Sequence, residues 1–148
     1  MSTQLEIDEV LEDHPDAVKT WDTVVMIQCV GSRTPENPNC SRICCQTAIK
    51  NALRIHSLNP DVRMFILYRD MRTYGLREDL YVAAREQGVL FSRYSRQSKP
   101  VVTNRDGRLN LEFFDSILGR TLSSGQMATV GKSSSIRAIG PCFISPAG

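Results

Sequence analysis

The 148-residue chain is 41% hydrophobic and 23% charged, with a formal net charge of +2, the composition of an ordinary globular domain able to bury its own core. So small a charge gives no reason to expect nucleic acid, and no run of about 18 apolar residues is present to span a membrane. The N-terminal stretch MSTQLEIDEVLEDHPD is acidic and lacks the apolar centre of a signal peptide, so a cytoplasmic protein is expected; in that compartment five cysteines point to metal or redox chemistry before disulfides.

Residues 4–13 (QLEIDEVLED) read as a short, weak helix or an irregular start, within a lead-in segment over 1–23. Residues 24–30 are an apolar run of strand length, rich in β-branched side chains and suited to burial on both faces. GSRTPENPN follows as a loop. Asn39 is positioned to cap a helix over about 40–57, with Ile43, Ala48, Ala52 and Ile55 on its inner face. Asn59-Pro60-Asp61 ends that helix. Arg63–Tyr68 is a second buried strand, 77–87 a second helix stopped by Gly88, and 89–94 a third strand. The alternation predicts an α/β fold, a Rossmann-like three-stranded parallel βαβαβ core with right-handed crossovers.

Residues 100–103 and 109–114, joined through Asn104-Arg105-Asp106-Gly107, predict an appended C-terminal β-hairpin. The main domain then covers 24–122. Beyond it, 123–148 is small, polar and aperiodic, and is expected to be an irregular, loosely packed tail. The alternative is that Ile136, Ile139, Phe143 and Ile144 supply one more strand.

The chemistry-bearing feature is the cysteine cluster. Cys29 falls at the carboxyl end of the first strand, where α/β sheets hold their ligands. Cys40 and Cys44 are four apart, so a helix beginning at Cys40 stacks them on one face, with Cys45 about 100° round. The ten residues between Cys29 and Cys40 are enough to fold back and bring four thiols together. A single cysteine is more often a small buried apolar residue than a ligand; four on one corner reverse that expectation. Four soft thiolates suit zinc or an iron–sulfur cluster. Adjacent Cys44 and Cys45 diverge, which is awkward for one tetrahedral zinc and acceptable to a cluster whose irons stand apart. The helix N-terminus favours the negative charge of a thiolate-ligated group, and Arg33 and Arg42 add to it. A zinc site, or a disulfide with two free thiols, stays open at this point.

Elsewhere the signals are weaker. Arg69 and Arg72 follow the second strand, where NADP-binding folds place arginines for the 2′-phosphate, and Asp70 stands near the place of a ribose-binding acid; solvated loop arginines are the expected reading. His14 and His56 lie apart from the cysteines, and Tyr74 and Tyr94 read as packing residues. No Ser-His-Asp or paired-carboxylate pattern occurs, so no catalytic residue is assigned. Cys142, in Gly140-Pro141-Cys142, has no coordination role left once four ligands are taken.

QCVGSR, a short loop and then CSRICC and TAIK resemble the heterodisulfide reductase A-subunit family of flavin- and iron–sulfur-containing electron-transfer proteins. LYRDMRTYG and YVAAREQGVLFSRY continue the resemblance, which is close over 24–94 and extends over about 3–122. It implies a thioredoxin-reductase-like architecture, of which this chain is mainly the second domain, derived from an NADPH-binding unit. It further implies that a [4Fe-4S] cluster replaces the nucleotide, with Cys29, Cys40, Cys44 and Cys45 as ligands, and that the chain transfers electrons. Its partners are then other domains or subunits of a heterodisulfide-reductase-like complex, with FAD expected only in the full-length family protein. The chain has neither a G-x-G-x-x-G flavin fingerprint nor a C-x-x-C-x-x-C ferredoxin motif, so a fragment that is catalytically incomplete alone is expected. The alternatives are an NADPH-dependent or thiol–disulfide oxidoreductase domain and a zinc-stapled interaction module.

Overall fold

Alternation along the central strands sets the layering. In β1 (Thr23–Ile27) and β2 (Arg63–Tyr68), Val24, Met26, Met64 and Ile66 pack into one apolar cluster, while Val25, Ile27, Phe65 and Leu67 pack into another. This is the period of two that sends successive strand side chains to opposite faces. The computed structural model describes residues 2–105, 108–123 and 136–139.

The first face is covered by α1 (Gln4–Asp13), α2 (Cys44–Leu58) and α3 (Glu78–Glu86). Ile7, Leu11, Ala48, Ile49, Ala52, Ile55 and Ala84 from these helices meet the strand residues there. The second face is covered by an antiparallel sheet of β4 (Val101–Arg105), β5 (Arg108–Asp115) and β6 (Arg120–Ser123), which supplies Leu111 and Phe113. Helices, parallel sheet and antiparallel sheet therefore stack as three layers around two cores.

The lead-in is an integral part of the helical layer. Thr3 and Glu6 form a reciprocal capping box, with Thr3 Oγ1 accepting from the Glu6 amide at 3.2 Å and the Glu6 carboxylate accepting from the Thr3 amide at 2.6 Å. Such a cap offsets the cost of an otherwise marginal ten-residue helix by about 1 kcal/mol. Inside, Asn51 Nδ2 donates to Gln4 Oε1 at 2.9 Å, and Asn59 Nδ2 donates to the carbonyls of Val18 and Trp21 at 3.0 and 2.9 Å. Two buried or half-buried amides on α2 and its end thus fix the N-terminal segment to the core.

The parallel strands β1, β2 and β3 (Leu90–Arg93) pair in the order 3-2-1. Gly88 closes α3 at φ 86°, a left-handed position open to glycine,. On β3, Phe91 meets Tyr81 of α3 edge-on at 4.6 Å between ring centres. Ser92 of β3 bonds the Asp115 carboxylate of β5, tying the two sheets together. Among the described residues, no helix is long and apolar enough to cross a membrane.

Three expectations change. The appended hairpin is a three-stranded sheet, because Asp115 Oδ1 caps the next turn by accepting from the amides of Ile117 and Leu118 at 2.8 and 2.9 Å, and Gly119, at φ 63°, reverses the chain into β6. The β4–β5 ladder extends to the pair Arg105–Arg108; Asp106 and Gly107 lie outside the described residues. Within the stretch expected as a loose tail, β7 (Ile136–Ile139), part of the strand offered as the alternative, pairs in parallel with β1, from Thr23 opposite Ile136 to Met26 opposite Ile139. Every residue of β1 is buried, so an open edge there would leave backbone donors and acceptors without partners. A strand of four residues is too short to announce itself by periodicity. Cys142, Phe143, Ile144 and the rest of the expected tail lie outside the described residues.

Removing residues 124–148 deletes β7 and opens the edge of β1. The shortened chain is expected to unfold at lower denaturant concentration than the full chain and to aggregate more readily. An unchanged midpoint and clear solutions would show that β7 contributes nothing to β1.

Candidate metal centre

The corner begins where β1 ends. Gln28 is still held by the sheet, its amide donating to the Leu67 carbonyl at 2.8 Å, while the Tyr94 hydroxyl donates to its carbonyl. Cys29 then turns the chain at φ 62°, followed by Gly31 at φ 70° and Arg33 at φ 56°. The loop folds on itself through Thr34 N to Asn37 O at 2.9 Å, Arg33 N to Asn39 O at 3.2 Å and Asn37 Nδ2 to Gly31 O at 3.0 Å. Arg42, at φ 61°, re-aims the backbone, and α2 starts at Cys44 with Ile43 before it.

The helix therefore starts four residues later than expected, and Asn39 is not its cap. The asparagines of this segment take part in loop turns instead, the local competition that short polar residues offer to a helix. As a consequence, Cys40 and Cys44 do not stack on one helical face. Cys40 belongs to the loop and is half-buried, whereas Cys29, Cys44 and Cys45 are 6%, 6% and 1% exposed. All four are free thiols, so the disulfide alternative is not realised among them. Among the described residues no group of three or more His, Cys, Asp or Glu side chains is arranged to hold a single metal ion. The displaced helix start leaves Cys40 on the loop, outside the first turn of α2 that carries Cys44 and Cys45.

Backbone strain concentrates here. Cys29, Arg33 and Arg42 are the non-glycine residues with positive φ among those described, and such conformations cost roughly 1–3 kcal/mol each. The Arg33–Asp70 ion pair, 3.1 Å apart with Asp70 44% exposed, offsets little of that, since exposed pairs contribute about 0–1 kcal/mol. Stronger tethers come from Arg69, whose Nη1 donates to the carbonyls of Ser32 and Arg33 at 3.3 and 3.0 Å. Arg69 is thus bonded to the cysteine loop and is not the solvated arginine expected from sequence. Arg72 reaches Asp70 at 3.6 Å and lies within electrostatic range of Cys40.

The two adjacent thiols are unlike. Cys45 donates its S–H to Cys44, and this bond, with further help from Ser41 and the first amides of α2, lowers the Cys44 thiol from 9.0 to about 6. Cys45 is pushed the other way by the same bond and by burial; its sulfur also lies 3.7 Å from the Asp70 carbonyl. Burial raises the Tyr94 phenol, and Cys29 and Cys44 add to the effect. Tyr94 is thus part of the corner as well as a packing residue. Beyond Cys29, between the two sheets, lies a cavity of about 230 Å³ lined by Ile27, Tyr94, Val102, Arg69 and Lys99.

Two observations bear on whether this corner suits a thiolate-bound metal group. The donor set is soft and mostly buried, with two thiols in the first turn of a helix, where free amides favour negative charge. Beside Cys29, the fully buried Gln28 side chain has both Oε1 and Nε2 unpaired, leaving an amide donor for an anionic neighbour. The residues fit such a group in kind, with closure of the set falling to the loop that carries Cys40.

The chain is 42% identical over 92 residues to the A subunit of the ferredoxin:CoB-CoM heterodisulfide reductase of Methanosarcina acetivorans, covering 58% of this chain and 12% of that protein. It is 36% identical over 115 residues to the A subunit of the H(2)/formate:CoB-CoM heterodisulfide,ferredoxin reductase of Methanococcus maripaludis, covering 75% and 17%. The chain is homologous to a segment of the heterodisulfide reductase A subunits. A further relative, the iron-sulfur A subunit of the CoB--CoM heterodisulfide reductase of Methanocaldococcus jannaschii, is 44% identical over 86 residues, covering 55% of this chain and 13% of the relative. The matched regions are thus less than a fifth of these proteins' length, and no protein-family model matches the chain.

The unequal thiols have a measurable consequence. In the metal-free protein, thiolate absorbance is expected to rise as pH passes about 6. Cys44→Ala should abolish that step, and Cys45→Ala should return it towards 9 by removing the donor. Because the folded-state value is depressed, the stability this thiolate contributes is fully present above its ordinary value near 9 and is lost as pH falls through about 6,.

Proposed function

We propose that this segment holds a [4Fe-4S] cluster through Cys29, Cys40, Cys44 and Cys45 and carries electrons within a heterodisulfide-reductase-A-like, flavin-dependent oxidoreductase. The observation that carries this reading is the corner itself, four free thiols around the carboxyl end of β1 and the start of α2, three of them buried. Homology to a segment of oxidoreductase subunits, one of them named for iron and sulfur, supports it.

When bound, the cluster supplies one-electron redox chemistry. The chain's own work is to hold and tune. Cys44 and Cys45 ligate from the first turn of α2, where unpaired amides and the dipole favour anionic charge. Cys29 ligates from the end of β1, and Cys40 closes the set from the loop. Arg33, Arg69 and Arg72 offset negative charge nearby, and burial of Cys29, Cys44 and Cys45 limits access of water and oxidants. No residue acts as a general acid or base. The flavin and the electron donor and acceptor belong to the remainder of the full-length protein and its companion subunits, in a cytoplasmic complex. Within the segment, residues 24–122 form the cluster-bearing unit and 1–23 its lead-in.

Anaerobic reconstitution with iron and sulfide, followed by metal analysis and electron paramagnetic resonance of the reduced sample, tests the assignment. About four irons per chain are expected, and Cys29→Ser, Cys40→Ser, Cys44→Ser and Cys45→Ser are each expected to lose or strongly weaken retention. Unchanged iron in all four variants overturns the ligand set, and stoichiometric zinc instead of iron supports the zinc-stapled module.

The nucleotide alternative makes an opposite forecast. A dinucleotide site needs closely spaced glycines so that backbone amides approach the pyrophosphate, whereas the β1–α2 loop has Gly31 alone and α2 opens with Cys44. Titration calorimetry of the iron-loaded protein is expected to show weak NADPH binding or none. Micromolar affinity would restore the NADPH-dependent oxidoreductase reading.

A further inference from the structure

The dipeptide Arg69–Asp70, just after β2, meets the cysteine loop, the start of α2 and the neighbouring strand. Arg69 Nη1 donates to the Ser32 and Arg33 carbonyls of the loop at 3.3 and 3.0 Å. The Asp70 carboxylate pairs with Arg33 at 3.1 Å and Arg72 at 3.6 Å. The Asp70 carbonyl lies 3.7 Å from the Cys45 sulfur at the start of α2. From the neighbouring strand, Arg93 Nε donates to the Arg69 carbonyl at 3.1 Å. Loop, helix start and sheet edge thus converge on two residues.

From this geometry we infer that Arg69 is a positioning residue, the clasp that holds the Cys29–Cys40 loop against the carboxyl edge of β2. The loop's internal bonds, Thr34 to Asn37 and Arg33 to Asn39, define its shape but do not attach it to the sheet. Left-handed residues persist where surrounding contacts over-determine them, and Arg69 bonds the carbonyls of Ser32, which follows left-handed Gly31, and of left-handed Arg33 itself. A guanidinium suits this work because it stays charged at any working pH and presents its donors in a fixed plane. In the free chain the clasp limits how far the loop that ends in Cys40 can move from the sheet edge. In the metal-loaded protein it also sets a positive charge beside an anionic group, which favours the reduced state. The purpose of the clasp rests on the cluster reading above; its geometry does not.

Amide hydrogen exchange on the metal-free full chain tests the clasp directly. Arg69→Met is expected to speed exchange at residues 31–37 by about ten- to a hundredfold, the effect of losing a charge-assisted hydrogen bond on a local opening equilibrium, with α2 unchanged. Arg69→Lys, which keeps a cation and donors, is expected to lie between the two. In the iron-loaded protein, Arg69→Met should release iron to a chelator faster and shift the midpoint potential to more negative values. Unchanged loop exchange overturns the clasp, and equal acceleration in α2 reduces Arg69 to a general stability residue. Faster loop exchange in a protein whose wild type takes up no iron sustains the clasp and removes the cluster reading.

Discussion

The left-handed turn at Cys29 is the constraint on which the corner depends. β1 is buried along its whole length, and Gln28 remains fixed by the Leu67 carbonyl and the Tyr94 hydroxyl, so the chain leaves the sheet within a single residue. At φ 62° that residue keeps its thiol buried while the backbone swings outward. Arg42, at φ 61°, performs the return. Between them the loop is too rich in Pro and Asn to become helix or strand, and its position is set by what the sheet edge offers. The burial of three thiols and the partial exposure of the fourth follow from this path.

The site lies where open parallel sheets hold their ligands, at the carboxyl ends of β1 and β2. In a dinucleotide-binding fold that place needs a bare backbone, because amides must approach phosphates closely. Here the same corner presents sulfur. The helix N-terminus keeps its preference for negative charge, and the bond between Cys45 and Cys44 turns it to favouring a thiolate, lowering the Cys44 pKa to about 6. The antiparallel sheet closes the second face with Leu111 and Phe113, so one end of the corner looks into an apolar layer and the other onto arginines.

Much of this was legible in the chain. Residues 63–68 become β2 with the bounds read from their apolar run, and residues 4–13, read as a short helix or an irregular start, become α1. The parallel β1-β2-β3 core followed from strands separated by helical stretches of crossover length. Cys29 at a strand end needed only the apolar run before it. The start of α2 was misread because Asn39 followed by a cysteine looks like a cap, whereas the loop bonds of Asn37 and Asn39 are longer-range choices invisible to a local rule. β7 was read only as the alternative to a loose tail because four residues carry no period, and its reason for existing is the open edge of a strand more than a hundred residues away.

The order of residues by itself determined the kind of chemistry available: four thiols, a strand before the first and a helix carrying the last two, since local propensity and side-chain type are properties of short stretches. Only the tertiary structure decided how those thiols differ. Cys40 stays in the loop because Arg42 delays the helix; Cys44 ionises readily because Cys45 donates to it; and the loop is held to the sheet because Arg69, thirty-six residues on from Arg33, finds its carbonyls. The last is a contact between distant parts of the chain, and the first two join neighbours whose backbone conformation is set by the fold around them. They depend on where folding sets each backbone group, which no stretch of sequence states on its own.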